Sequence, residues 1–210
     1  MLNFICEQYC RTASDINEHL PVLRDRAREC GAVVQIGSGQ LTATWAFLDG
    51  LTQSAAKQKS YVIFDDKQCD ILKLKLAQTC AHHHDIGFGY MIENELKMTA
   101  PQCDLLFIDG LHTYPHVTAQ LEHCHSAVSK YIILHDTSAP WGHQDEALTT
   151  SEQRRMYPTC VDYRKQGLWP AVQDFLTRHP EWLLQERRLN NHGLTTLKRI
   201  VSATPSESRG

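Results

Sequence analysis

Four side chains able to hold a metal ion or move a proton stand at the ends of two apolar runs in mid-chain. Asp109 and His112 follow Leu105 to Ile108, and His135 and Asp136 follow Tyr131 to Leu134. Carboxylate oxygens suit hard divalent cations, and imidazole, with a reference pKa of about 6.5, exchanges a proton near neutral pH. Each also has a purely structural use, since an aspartate can cap the turn after a strand and a histidine can hydrogen-bond a loop.

The elements around these residues decide whether they meet. Both apolar runs are short, continuous and rich in β-formers, as expected of strands buried on both faces of a parallel sheet. The stretch between them, roughly Tyr114 to Val128, is long enough for a helical right-handed crossover, which sets the strands side by side. Their C-terminal ends then share the edge where open α/β sheets bind ligands.

The same pattern recurs upstream. A helix is expected from the Ser14-Asp15 cap through Leu20, Leu23 and Ala27 to a stop at Gly31. Ala32 to Ile36 (AVVQI) reads as the first strand, running into Gly37-Ser38-Gly39-Gln40 and a helix over Leu41 to Leu51. Strand, glycine turn and helix together bring backbone N–H groups and a helix N-terminus up to a ligand. Tyr61 to Phe64 is a second strand closed by Asp65-Asp66, placed to accept hydrogen bonds from a ribose. Ile71 to Ala77 is helical, and Gly87 to Ile92 is a third strand leading to Glu93-Asn94-Glu95.

Ser138 to Thr159 is polar with no sustained apolar period, apart from a helical turn around Glu146 to Arg155. The span 138–166 is therefore expected to be a lid or substrate loop. Gly167 to Arg178 is an amphipathic helix. Trp182 to Arg188 and Leu194 to Ile200 flank Asn190-Asn191-His192-Gly193, an antiparallel hairpin signal. The tail from Ser202 is small and polar, and is expected to be disordered.

Composition bounds the function. The chain has 210 residues, 42% of them hydrophobic, and a net charge of -3. That suits one domain over 1–201 and gives no electrostatic case for nucleic acid. No apolar run reaches the roughly 20 residues of a membrane span, and no leader is evident, so a soluble, cytoplasmic protein is expected. The eight cysteines contain no C-x-x-C pair and read as reduced thiols, several filling the core. His82-His83-His84 stands in a polar stretch before a strand and His123-Cys124-His125 within one helix turn. Adjacent helical residues point apart, so neither triplet forms a chelating face by itself.

Five β-α units and a terminal hairpin resemble the class I S-adenosylmethionine-dependent methyltransferases, from about Asp15 to Ile200. This implies a Rossmann-like α/β three-layer sandwich with a seven-stranded, mostly parallel sheet. SDINEHLP, FIDGLHTY, ILHDT, GLWPAVQDFL and NNHGLTTLKRI resemble a branch of small methyltransferase-24-like proteins related to metal-dependent sugar and macrolide O-methyltransferases. The resemblance implies cofactor contacts from Gln35, Gly37, Ser38, Gly39, Asp65, Asp66, Glu93, Asn94 and Asp109. It implies a divalent metal, Mg2+ or another, on Asp109, His135 and Asp136, with His135 where relatives carry a carboxylate. His112 becomes the general base, and Asp109 a second catalytic residue.

The implied activity is O-methylation of a small hydroxylated acceptor such as a sugar or glycoside, with or without a metal. Self-association is left open. Trp141, Tyr157, Tyr163 and Trp169 either line the acceptor pocket or pack the core. The family's glycine motif opens with an acid where this chain has Gln35, and Leu41 replaces a third glycine. Hence the alternative of a catalytically inactive binding or scaffold protein on the same fold. The missing glycine and the hairpin argue against a nicotinamide-dependent reductase. A metal-dependent hydrolase built on Asp109, His112, His135 and Asp136 is a more distant alternative.

Overall fold

The computed structural model describes residues 1–146, 157, 162 and 164–200. Much of the segment expected as a lid, including Tyr163 and the expected turn beyond Glu146, therefore lies outside the described residues, as does the tail from Ser202. The described chain forms a three-layer sandwich around a seven-stranded sheet of order β3-β2-β1-β4-β5-β7-β6. The strands are β1 (Ala32–Ile36), β2 (Lys59–Asp65), β3 (Ile86–Ile92), β4 (Cys103–Ile108), β5 (Val128–His135), β6 (Trp182–Arg188) and β7 (Leu194–Arg199). The first five are parallel, and β7 enters antiparallel between β5 and β6.

Alternation along the central strands feeds two cores. Leu105 and Phe107 pack on one face with Leu23, Trp45 and Phe47. Leu106 and Ile108 pack on the other with Leu121, Val172 and Phe175. The helices are α1 (Leu2–Arg11), α2 (Leu20–Arg28), α3 (Thr42–Thr52), α4 (Ile71–His83), α5 (Tyr114–Cys124) and α6 (Leu168–Arg178). Helix α1 is not signalled by a cap; it forms because Leu2 and Cys6 bury one face and Tyr9 stacks on Trp45 at 5.9 Å.

Several boundaries move. Helix α2 is preceded by a 3₁₀ turn at Asn17–His19 instead of starting at Ser14-Asp15. Helix α4 runs on through His82 and His83, so these are helical and not part of a polar lead-in. Helix α5 stops at Cys124, and a 3₁₀ turn over His125–Ala127 delivers Val128 directly into β5. The seven described cysteines are all free thiols. Among the described residues no helix is long and apolar enough to cross a membrane.

Candidate active site

The first β-α loop is built from below. Gln35 is buried; its Nε2 donates to the Gly37 carbonyl at 2.6 Å, and its Oε1 accepts from the Tyr61 hydroxyl. This side chain thus braces the loop from within the sheet. Gly37 has φ of +82°, and a Cβ there would lie 1.9 Å from the Asp109 carbonyl oxygen, so only glycine fits. Gly39, with φ of +48°, is different: nothing lies within 4 Å of the position of a Cβ. Leu41 also adopts a left-handed φ of +61° at the start of α3 while its side chain is fully buried. The position of the missing glycine keeps the backbone conformation a glycine would favour.

At the end of β2, Asp65 accepts from the Ser38 amide at 2.7 Å, from the Ser38 hydroxyl and from the Lys67 amide at 3.1 Å. Burial opposes its charge, but these donors outweigh burial and hold its pKa below the ordinary carboxylate range. The acid therefore ties the glycine loop to β2 while it borders the crevice. A cavity of about 320 Å³ opens here, lined by Gly37, Ser38, Gly39, Asp65, Asp66 and Lys67 on one side and by Glu95, Asp109, His112 and Glu146 on the other.

The four side chains at the ends of β4 and β5 do meet. His112 Nε2 lies 3.0 Å from Asp136 Oδ2 and 3.9 Å from Asp109 Oδ1, while its Nδ1 lies 3.2 Å from Glu146 Oε2. These are ionic contacts out of line for hydrogen bonds, and the ring is stacked parallel to Trp141 at 6.0 Å. Burial disfavours a charged ring, yet the Asp109 and Asp136 carboxylates raise its pKa to about 10. Asp136 is held far below the carboxylate range: burial opposes its charge, and His112 and His135 overcome that. Asp136 has φ of +57°, a conformation aspartate tolerates better than most residues.

His135 plays another part. Its Nδ1 faces Asp109 Oδ1 at 3.1 Å and Asp136 Oδ2 at 3.1 Å. Its Nε2 faces the Asp15 and Asn191 carbonyls at 3.0 and 3.2 Å. The two carbonyls take a proton from Nε2, and Nδ1 is turned to the two carboxylates. The expected ligand set of Asp109, His135 and Asp136 shares its two carboxylates with a second grouping, Asp109, His112 and Asp136, whose ligand atoms lie within 4.8 Å of one another. The two carboxylates, with His112 and Glu146 beside them, fit a hard divalent cation of the magnesium-to-manganese kind.

Of the other expected residues, Glu93 and Asn94 are exposed and do not border the cavity. Asn94 Oδ1 caps the turn by accepting from the Leu96 amide at 3.0 Å, which sends Glu95 inward instead. Glu95 accepts from Gln120 and pairs at 2.7 Å with His116, whose other nitrogen meets the Tyr157 hydroxyl. Tyr157 is thus a buried packing residue. Trp169 lies under the Arg187 guanidinium at 3.5 Å.

His192 also reaches the site, its Nδ1 3.2 Å from Asp136 Oδ1. It sits in the NNHG turn, where the hairpin signal masked a site residue. Glu146 stands at the start of the expected helical turn, where no site role is signalled.

No protein-family model matches the chain, and no functionally described protein matches it by sequence. Solved structures match it by shape. A methyltransferase from Podospora anserina, determined bound to SAH, aligns with a TM-score of 0.53 at 13% identity, covering 95% of this chain and 88% of that one. A methyltransferase from Geobacter sulfurreducens aligns with 0.53 at 17%, covering 95% and 90%. An O-methyltransferase from Bacillus cereus in complex with SAH gives 0.51 at 11%, covering 95% and 90%. The architecture is that of the Rossmann-like methyltransferases. At these identities the likeness speaks for the fold and not for the reaction.

Proposed function

We propose that the chain is a methyltransferase using S-adenosylmethionine, acting on a hydroxyl of a small hydroxylated acceptor such as a sugar or glycoside, with a divalent cation assisting. One observation carries this reading: Asp109 and His112, which group with the buried Asp136, line the same cavity as the glycine loop. The space beside Gly39 gives a cofactor room, which speaks against a first loop too crowded for methionine and hence against an inactive scaffold. The SAH named with two of the structural neighbours supports the same cofactor class.

S-adenosylmethionine, when bound, supplies a methyl on a positively charged sulfur. A cation held by Asp109 and Asp136 supplies the charge that lowers an acceptor hydroxyl's pKa. The chain's own residues must align the acceptor oxygen and receive its proton. His112 is placed for the second task. With the two carboxylates engaged by a cation, less negative charge would face the ring, and its neutral form would take the proton as the new O–C bond forms and the C–S bond breaks.

Calorimetry with S-adenosylmethionine and SAH, each with and without Mg2+ or Mn2+, tests the reading. Binding of either is expected, and methyl transfer to a panel of sugars and glycosides should fall at least about 100-fold in Asp136→Asn, as for loss of a group that holds the reacting oxygen. Absence of binding of both compounds under every metal condition overturns it.

A further inference from the structure

A second cluster of metal-ligand side chains lies at the opposite end of the sheet. His125 occupies the 3₁₀ turn that enters β5, and Glu122 sits one turn earlier on α5. His179 caps the end of α6, and Glu181 directly precedes β6. Strands β5 and β6 run in the same direction, because both are antiparallel to β7. Their N-terminal ends therefore share the edge away from the crevice.

The side chains converge. His179 Nε2 lies 3.0 Å from Glu122 Oε2, and Glu181 Oε1 lies 3.4 Å from His179 Nδ1 and 3.5 Å from His125 Nδ1. The two imidazoles overlap with centroids 4.1 Å apart, walled on one side by Phe175. One ligand atom each from Glu122, His125 and His179 falls within 4.8 Å of the others. His125 Nδ1 is shielded from solvent without a hydrogen-bond partner, an uncommon state for a buried ring nitrogen. Arg178 Nε and Nη2 hold the opposite oxygen of Glu122 at 3.0 and 2.8 Å, as the outer partner of a ligating carboxylate does.

We propose that Glu122, His125 and His179, with Glu181 in reach as a fourth ligand, form a zinc site distinct from the crevice. Two imidazoles favour zinc or another late transition metal over Mg2+ or Ca2+. With neutral rings the two glutamates and Arg178 leave one net negative charge, which a dication offsets. Ligand atoms of a tetrahedral zinc stand about 3.3 Å apart, given bonds of about 2.0–2.1 Å, so atoms now within 4.8 Å of one another would have to draw in by up to about 1.5 Å. The site would clamp α5, α6 and the β6 edge together.

The test is titration of the metal-stripped full chain with Zn2+ against a chromogenic chelator, with thermal unfolding in parallel. The arms are wild type, Asp136→Asn to disable the crevice group, His125→Gln and His179→Gln. Zinc affinity and a zinc-induced rise in Tm should persist in Asp136→Asn. Both should weaken in either histidine variant by more than the about 10–100-fold typical of losing an outer partner. Unchanged zinc binding in the histidine variants overturns the proposal, as does loss of all zinc binding in Asp136→Asn. Should the histidine variants not fold, ring-nitrogen NMR of the wild type decides. Shifts at His125 and His179 on zinc addition support the site, and shifts confined to His112, or none, overturn it.

Discussion

His135 Nδ1 lies 3.1 Å from Asp109 Oδ1, while its other ring nitrogen faces the backbone carbonyls of Asp15 and Asn191. One buried imidazolium therefore joins the ends of β4 and β5 to the segment before α2 and to the β6–β7 turn. Asn191 reinforces the clasp by donating to the Ser14 carbonyl at 2.8 Å and accepting from the Glu18 amide at 3.1 Å.

Replacing His135 with leucine removes the cation and leaves Asp109 and Asp136 facing each other without it. Loss of one partner of a buried pair costs about 3–5 kcal/mol. The urea midpoint of the metal-free protein should fall accordingly. A loss below about 1 kcal/mol would mean the imidazolium contributes little net stability, as exposed pairs do.

The same contact sets a pH dependence. Burial opposes the His135 charge, but Asp109 and Asp136 raise its pKa to about 11, above the unfolded value of about 6.5. Its contribution is complete below that unfolded value and is lost as pH climbs toward 11. Asp136 is shifted the other way, so the pair also weakens as pH falls below the unfolded aspartate value of about 3.9. Metal-free stability should thus be greatest between about pH 4 and 6.5. Subtracting the His135→Leu curve from wild type isolates the pair. A flat difference on the alkaline side refutes the assignment of His135 as an imidazolium.

Much of this arrangement is legible in the sequence and some is not. AVVQI, YVIF, LLFI and YIIL name the parallel strands because two-sided burial demands continuous apolar runs, and NNHG names the hairpin. The acids at strand ends follow from strand order alone. What was hidden is the division of labour among His112, His135 and His192. That depends on which carbonyls and carboxylates surround each ring, and the surroundings come from Asp15, Asp109 and Asn191, distant in sequence. Glu95 was hidden behind Asn94 for a local reason: the turn cap rotates the chain by one residue.

Gly37 and Gly39 should respond differently to alanine. At Gly37 the added carbon strikes the Asp109 carbonyl, so a large loss of stability or failure to fold is expected. At Gly39 the space is open and the cost is the left-handed φ of +48°, about 1–2 kcal/mol. Gly39 borders the cavity, so its alanine variant should fold and yet bind SAH at least about 10-fold more weakly, equivalent to about 1.4 kcal/mol. Calorimetry beside thermal unfolding separates the two effects. Wild-type affinity in Gly39→Ala would place the ligand elsewhere.

Asp65 accepts from Ser38 twice and from Lys67 once, so an amide in its place would set N–H groups against donors. Asp65→Asn should lose about 1–3 kcal/mol of stability and most SAH affinity. Ser38→Ala removes the hydroxyl but keeps the amide contact, and should cost about 1 kcal/mol. If Asp65→Asn unfolds at the wild-type temperature, the carboxylate is not what fixes the loop.

Gln35 offers the sharpest test of what the first β-α loop requires. Its Nε2 donates to the Gly37 carbonyl at 2.6 Å while its Oε1 accepts from Tyr61. Glutamate in its place would set a carboxylate oxygen against that carbonyl, in a site buried to 1% exposure. The charge then meets an acceptor with no donor to replace the amide, a loss of about 1–3 kcal/mol. Gln35→Glu is therefore expected to lower the urea midpoint and to leave SAH affinity no better than wild type. Tyr61→Phe, which removes only the hydroxyl donor, should be milder. A gain of more than about 10-fold in SAH affinity, about 1.4 kcal/mol, would instead show that an acid at this position acts through its charge on the ligand. The bracing role of the amide would then be secondary.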